Sequence, residues 1–203
     1  MSKATTLTEI MEANRGVARS VTYLDGENDT RAVSFGELYE RALGILYHLQ
    51  RLGARRGDKL ILFLGSNEVF VDAFWAAVLG GIVPVPVSIG ISDEQRHKLL
   101  RVARRLGAPF LYTDRRSLER LGDFAAQAGE SEVFAALRPR TFLVDDLDDI
   151  SRAGSLQRVT SSDTAFIQFS SGSTAEPKCV ELTHGNILAN IYGSTEADRK
   201  SVV

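Results

Sequence analysis

The sequence predicts an α/β fold in which a parallel-rich sheet is covered by helices. Short apolar runs with strand character alternate with longer segments of helical periodicity along most of the 203 residues. Strands and helices that alternate in this way form parallel sheets, because each helix carries the chain back to start the next strand in the same direction. Hydrophobic residues make up 44% of the chain, which is enough to build a core for such a fold.

The first predicted helix begins after Ser34. Ser34 and Glu37 have the spacing of a capping box, in which the serine caps the helix start and the glutamate binds back to it. Apolar residues then recur at steps of three and four, which places them on one helix face. These residues are Phe35, Leu38, Ala42, Ile45, Leu46, Leu49 and Leu52. Gly53 ends the helix.

A strand, a helix and a second strand follow. The strand is predicted over Lys59–Leu64, and the segment Phe70–Leu79 is apolar on nearly all sides, which indicates a buried helix. The second strand is Val83–Val87. It contains two prolines, which cannot donate ladder hydrogen bonds, so we expect it at a sheet edge or a strand end.

The alternation continues in the next segment. Asp93–Leu106 has the pattern of a basic amphipathic helix, and its cationic side is interpreted as a solvated face. Phe110–Thr113 is predicted as a strand. Ser117–Leu137 is predicted as helical with a break near Gly129, and Thr141–Val144 as another strand.

The segment Phe166–His184 is the most informative about function. It places a loop rich in Ser, Thr and Gly, followed by Lys178, between two strand-like runs. Small residues let the backbone approach a ligand, and N–H groups with hydroxyls form an anion site that a lysine neutralises. Such composition is also typical of a solvated turn. The length of the pattern and the flanking strands favour phosphate binding.

An ordinary P-loop does not explain this segment. Gly172 and Lys178 have the P-loop spacing, but Pro177 stands where the second glycine is required. Cys179 follows the lysine at the place where a Ser or Thr would hold magnesium. A Walker-type site is therefore excluded.

Over its whole length the segment resembles the phosphate-binding loop of the adenylate-forming superfamily, which includes acyl-CoA synthetases, fatty acyl-AMP ligases and adenylation domains of peptide synthetases. The matching residues are Ser170, Ser171, Gly172, Ser173, Thr174, Pro177, Lys178, Thr183 and His184. Ala175 and Cys179 replace glycines of that pattern; we expect Cys179 in extended backbone, because Val180 continues directly as a strand. The resemblance reaches upstream to about Thr22, and the phrases NEVFVDAFWAAVLGG and VPVPV are similar to fatty acyl-AMP ligases.

The resemblance implies that the chain is the first subdomain of the large AMP-binding domain. Residues 1–150 would form a helix and strand layer, and residues 160–203 the phosphate-loop strand pair and a helix. The residues implied to bind the phosphates of ATP are Ser170, Ser171, Gly172, Ser173, Thr174 and Lys178, with Thr174 also near Mg²⁺. Lys178 is not the family's catalytic lysine, which lies in a carboxyl-terminal domain, so no catalytic residue is expected in this chain.

The complete enzyme implied by the resemblance joins a carboxylic acid, such as a fatty acid, to AMP. It then passes the acyl group to the thiol of CoA or of a phosphopantetheine on an acyl carrier protein. The 203 residues are expected to be a truncated product, an excised fragment, or one part of a split ligase whose partner is the remaining half. The alternative is a non-catalytic remnant that acts as a binding or interaction module.

Other motifs have plainer interpretations. Tyr192–Glu196 matches a Tyr-Gly-x-Thr-Glu motif of the same superfamily, but it lies too close behind Lys178, so a continuing helix is favoured. His184 is expected in the first turn of that helix, beside Thr183 as its cap. The histidines are scattered, and the acidic run Asp145–Asp149 lacks the glycine and glutamate of a calcium loop.

Composition narrows the class of protein further. A net charge of −2 gives no general attraction to nucleic acid, and a single cysteine excludes an internal disulfide. The amino terminus lacks the apolar core of a secretory signal, and no apolar run reaches the about 18 residues that cross a bilayer. We therefore expect a cytoplasmic protein without a transmembrane segment. The acidic and then Ser-rich stretch Asp145–Ser162 is the best candidate for a linker.

Overall fold

The computed structural model describes residues 3–25, 29–90, 93–170 and 178–200, and all structural statements refer to these ranges. The elements in chain order are α1 (Leu7–Asn14), β1 (Ser20–Asp25), β2 (Asp29–Ser34), α2 (Phe35–Arg51), β3 (Lys59–Leu62), α3 (Asn67–Leu79), β4 (Val83–Pro86), α4 (Asp93–Leu106), β5 (Phe110–Thr113), α5 (Arg115–Gln127), α6 (Ser131–Leu137), β6 (Thr141–Leu143), β7 (Thr164–Ser170), β8 (Lys178–Thr183) and α7 (His184–Lys200). Short 3₁₀ turns precede and follow β6, at Arg138–Arg140 and Val144–Asp146.

The centre of the fold is a parallel sheet with the strand order β4-β3-β5-β6. The predicted α/β class and parallel sheet are confirmed, and the proline-containing β4 lies at the end of this strand order, as expected. β4, which follows β3 along the chain, lies beside β3 towards one end of the sheet, whereas β6, which follows β5, lies beside β5 towards the other end. The crevice between β3 and β5 is therefore a topological switch point, where open α/β sheets bind ligands beyond the carboxyl ends of their strands.

The core has two layers, one on each face of this sheet. Leu60 and Leu62 of β3 pack with the buried side chains of α2 and α3, whereas Ile61 packs on the opposite face with those of α4 and α5. Successive residues of a strand point to opposite faces, so a continuous apolar run such as β3 is buried on both sides.

The hairpin β7–β8 is antiparallel, and β7 lies beside β4. The amino end of β7, at Thr164, lines a cavity of about 210 Å³ together with Lys59 and Val83, which begin β3 and β4. The amino ends of the three strands therefore lie together, and β7 runs in the same direction as the parallel sheet. It follows that Ser170, at the carboxyl end of β7, lies at the carboxyl-end edge of the sheet, the edge at which open α/β sheets bind ligands.

The local sequence signals are confirmed in detail. Ser34 Oγ accepts the Glu37 N–H at 3.1 Å, and Glu37 Oε2 accepts the Ser34 N–H at 2.8 Å, which is the predicted capping box. The break near Gly129 separates α5 from α6, and the φ angle of 71° at Gly129 favours glycine there. Leu52 departs from the predicted apolar face: it is 37% exposed because it follows the last helical residue as the cap.

Three features of the fold differ from the expectations set by the sequence. The helix α1 and the hairpin β1–β2 were not predicted. The predicted linker is held against α2 and α3, since the Gly154 N–H donates to the Leu43 carbonyl at 2.8 Å and the Gln157 N–H to the Leu79 carbonyl at 3.0 Å.

Within the described ranges, no helix is long and apolar enough to cross a membrane.

Candidate functional site

The candidate site lies at the open end of the β7–β8 hairpin. The ladder pairs Phe169 with Cys179 and Ser170 with Lys178, so the last residue of β7 stands opposite the first residue of β8. Lys178 is exposed. The structure thus brings these two sequence-predicted site residues together at the carboxyl-end edge of the sheet. The remaining predicted phosphate-binding residues lie outside the described ranges, and they are Ser171, Gly172, Ser173 and Thr174.

Cys179, which replaces a glycine of the family pattern, lies within β8. Among the described residues, only glycines have positive φ, so the expected extended backbone at Cys179 is confirmed. Its side chain packs against the core cluster that contains Ile167 and Phe169. The cysteine therefore fits the strand without backbone strain.

A second lysine reaches this end of the hairpin from α4. Lys98 is half-buried, and its Nζ donates a hydrogen bond to the Phe169 carbonyl at 3.3 Å. The cationic side of α4 was interpreted as a solvated face. Arg104 and Arg105 are exposed, as this interpretation requires, but Lys98 is not. In the sequence, the only indication that Lys98 is half-buried is its position next to the apolar Leu99 of the same helix.

The expected helix cap at Thr183 is confirmed, because Thr183 Oγ1 accepts the Asn186 N–H at 3.1 Å. His184, the first residue of α7, is 2% exposed, and its Nδ1 accepts the Leu7 N–H at 3.1 Å. Burial lowers the pKa of His184, although the charge of Asp163 opposes this effect. His184 therefore joins α7 to the start of α1 as a neutral acceptor.

The Tyr192–Glu196 motif lies within the continuous helix α7, as expected. The Tyr192 hydroxyl donates to the Ala4 carbonyl at 3.1 Å, and the Thr195 hydroxyl to the Ile191 carbonyl at 2.8 Å. The Thr195 bond to the carbonyl four residues earlier is typical of threonine within a helix, whereas the Tyr192 bond joins α7 to the amino terminus. The motif therefore contributes to the docking of the amino terminus.

No group of three or more His, Cys, Asp or Glu residues in the described part of the chain is arranged to hold a metal ion. The acidic run Asp145–Asp149 makes protein contacts instead. Asp145 Oδ2 accepts the Arg115 N–H at 2.7 Å, and Asp146 forms an ion pair with the Arg115 guanidinium. These contacts connect the run to the start of α5.

A charge cluster built around the buried Asp72 lies near the carboxyl end of β3. Arg41 of α2 forms ion pairs with Glu68 and Asp72 of α3, and Glu68 pairs with Arg31 at 3.2 Å. Asp72 is 2% exposed, and burial, against the opposing attraction of Arg41, raises its pKa to about 6. Glu68 and Arg31 line a cavity of about 850 Å³ between β1–β2 and α3, together with Tyr23. No sequence pattern predicted this cluster, because its members come from separate elements.

Comparison with known proteins places these features in a family. The AMP-binding enzyme family matches residues 12–202. The long-chain-fatty-acid–AMP ligase FadD23 of Mycobacterium tuberculosis is 29% identical over 177 residues, which are 83% of this chain and 29% of that ligase. The structure of McyG A-PCP complexed with phenylalanyl-adenylate has a TM-score of 0.83 at 31% identity, over 98% of this chain and 36% of that one.

A third relative is similar in fold. The crystal structure of the fatty acid AMP ligase from Legionella pneumophila has a TM-score of 0.78 at 20% identity, over 94% of this chain and 32% of that one. The chain spans less than a third of the length of the FadD23 ligase, of which it covers 29%. Because the family match runs from residue 12 to residue 202, through the parallel sheet, the hairpin and α7, the chain belongs to the AMP-binding enzyme family.

Proposed function

We propose that this chain is the phosphate-binding part of an ATP-dependent ligase that forms acyl adenylates. The observation that carries the proposal is the pairing of Ser170 with Lys178 at the carboxyl end of β7. The segment between them contains the hydroxyl and glycine residues of the family pattern, Ser171, Gly172, Ser173 and Thr174. Family membership and the similarity to a fatty-acid–AMP ligase support the same activity.

The proposed reaction has two steps. A carboxylate oxygen of a fatty acid attacks the α-phosphorus of ATP, the bond to the β-phosphate oxygen breaks, and pyrophosphate leaves. The thiol of CoA or of a carrier-protein phosphopantetheine then attacks the acyl carbonyl, loses its proton, and AMP leaves. In this scheme Lys178 and the backbone N–H groups of the segment bind the β- and γ-phosphates, and their contribution is electrostatic.

The proposal assigns Mg²⁺ to the phosphates of ATP and to the Thr174 hydroxyl. Bound there, the ion would neutralise phosphate charge. The described residues add no acidic ligand cluster to this assignment. The described residues suit the phosphate groups of ATP, because Lys178 and Lys98 provide two ammonium groups near the end of the hairpin.

The proposal divides the chain into two parts. Residues 1–150 form the supporting helix and strand layer, and residues 160–203 carry the phosphate-binding strand pair and α7. The partners are ATP, the acid, the remaining part of a ligase, and an acyl carrier protein or CoA. We expect this polypeptide by itself to show no carboxylate-dependent exchange of pyrophosphate into ATP, because the described site offers charge and no reacting group. Robust exchange with any fatty acid would contradict this expectation.

The test is calorimetric titration of the chain with tripolyphosphate in the presence of Mg²⁺. Lys178→Met should weaken binding at least tenfold, because it removes the ammonium group at the end of β8 while keeping an unbranched side chain. Lys59→Met is the matched control, since Lys59 begins β3 at the opposite end of the sheet. If Lys178→Met and Lys59→Met have equal effects, or if the parent chain does not bind tripolyphosphate, the proposal is wrong.

A further inference from the structure

Helix α4 and the hairpin that carries the candidate site bury side chains in the same core cluster. The buried α4 residues Leu99 and Leu100 belong to the same core cluster as Ile167 and Phe169 of β7. Lys98 precedes this pair at the border of the buried face and is itself half-buried. The Lys98 side chain is thereby held at the carboxyl end of β7 by the packing of its own helix.

The ammonium group of Lys98 has a defined partner there. Its Nζ donates to the Phe169 carbonyl at 3.3 Å, across 71 residues of chain. An ammonium that is partly withdrawn from water needs such an acceptor, since burial without one is costly. Phe169 pairs with Cys179, and the next pair is Ser170 with Lys178. Lys98 therefore lies one ladder position before the segment that the family pattern assigns to phosphate.

We propose that Lys98 is a further phosphate-binding residue of this site, which fixes the end of β7 and adds a second positive charge near the bound polyphosphate. The inference rests on the proposed function, because it presupposes that phosphate binds at Ser170 and Lys178. A lysine ammonium has three donors, so one group can serve the Phe169 carbonyl and a phosphate oxygen together.

The rival explanation is that Lys98 only fastens α4 to β7. The chain offers a matched control for this possibility in Lys59. Lys59 is also half-buried, and its Nζ also donates to a backbone carbonyl, that of Gly57 at 3.0 Å. It begins β3, so it lies at the opposite end of the sheet from Ser170. The same substitution at both lysines changes the net charge and the number of hydrogen bonds equally.

The experiment compares the parent chain with Lys98→Met, Lys98→Arg and Lys59→Met. Binding of tripolyphosphate with Mg²⁺ is measured by calorimetry at low and high salt, and the urea midpoint of each variant is measured in parallel. Lys98→Met should bind about tenfold more weakly at low salt, and Lys98→Arg should remain within about twofold of the parent because it keeps the charge. Lys59→Met should bind as the parent does.

Salt dependence separates the two explanations. A lost charge reduces the sensitivity of binding to salt, whereas a loosened helix leaves that sensitivity unchanged. If Lys98→Met lowers the urea midpoint but binds within twofold of the parent, Lys98 is only a structural contact and the inference is wrong. An equal loss in Lys59→Met would also overturn it. If the parent does not bind tripolyphosphate, the proposed function itself fails, which is a distinguishable result.

Discussion

Asp72 provides the sharpest test of the energetics of this fold. It is 2% exposed, and its Oδ2 pairs with Arg41, while Oδ1 has no hydrogen-bond partner among the described protein groups. Removal from water disfavours the charged carboxylate more than the attraction of Arg41 favours it, so the pKa of Asp72 rises to about 6. The other ionisable groups that face it are Glu68, Arg31, Tyr23 and Tyr112.

The pKa shift of Asp72 sets the size and the sign of a stability effect. The change from 3.8 to about 6 is about two pKa units, or about 3 kcal/mol at 1.36 kcal/mol per unit. The folded state binds the proton more tightly than the unfolded state. The contribution of Asp72 to stability is therefore complete below about pH 4 and is lost as the pH rises through about 6.

Asp72→Asn removes this titration and keeps an acceptor for Arg41. The difference in free energy of unfolding between variant and parent should become more favourable to the variant by about 2.5 kcal/mol between pH 4 and pH 7.5. Urea unfolding across this range, followed by the fluorescence of the single tryptophan, Trp75, measures the change. Asp123→Asn, at an exposed position of α5, is the control and should show no such trend.

Two outcomes would refute this reasoning. If the difference between variant and parent does not depend on pH, Asp72 has an ordinary pKa in the folded protein. If the variant becomes relatively less stable as the pH rises, the ion pair with Arg41 outweighs the cost of burial. In either case the assignment of burial as the dominant effect at Asp72 is wrong.

Four further substitutions test other parts of the structure. His184→Gln should flatten the fall in urea midpoint below about pH 6.5, because burial lowers the His184 pKa and its contribution to stability is lost as the pH falls; an unchanged acid slope would contradict this. Gly44→Ala should lower the free energy of unfolding by at least about 1 kcal/mol, since the added Cβ would meet Ile150 Cβ at 2.5 Å. Gly193→Ala has open space around the added Cβ and should raise the free energy of unfolding by up to about 1 kcal/mol. Cys179→Gly should lower the free energy of unfolding by about 0.4–1 kcal/mol by freeing the unfolded chain, and a clear rise would indicate strain at Cys179.

The helices and strands that depend on local signals could be predicted from the sequence. The capping box at Ser34 and the apolar spacing of α2 specify that helix within its own residues. The bounds of α4 and β5 were also predicted correctly, because the spacing of apolar residues and the positions of turn residues indicate the same bounds there. The strand pair that flanks the loop was also predicted, but the register that places Ser170 opposite Lys178 was not.

The features that could not be predicted depend on contacts between distant residues. The bond from Lys98 to Phe169 and the pair of Arg41 with Asp72 join elements that no periodicity relates. The same holds for the segment at Gly154, whose polar composition resembles a linker although it hydrogen-bonds to α2. The hairpin β1–β2 has few apolar residues and carries no strong strand pattern, so its pairing depends on the surface of α2 and α3.

The most direct test of the central claim is amide hydrogen exchange of this chain with and without ATP and Mg²⁺. We expect ATP to slow exchange in the peptides that span Thr164–Thr183, and we expect Lys178→Met to abolish this protection while Lys59→Met retains it. Protection confined to another part of the chain, or protection that persists in Lys178→Met, would contradict the assignment of the phosphate site.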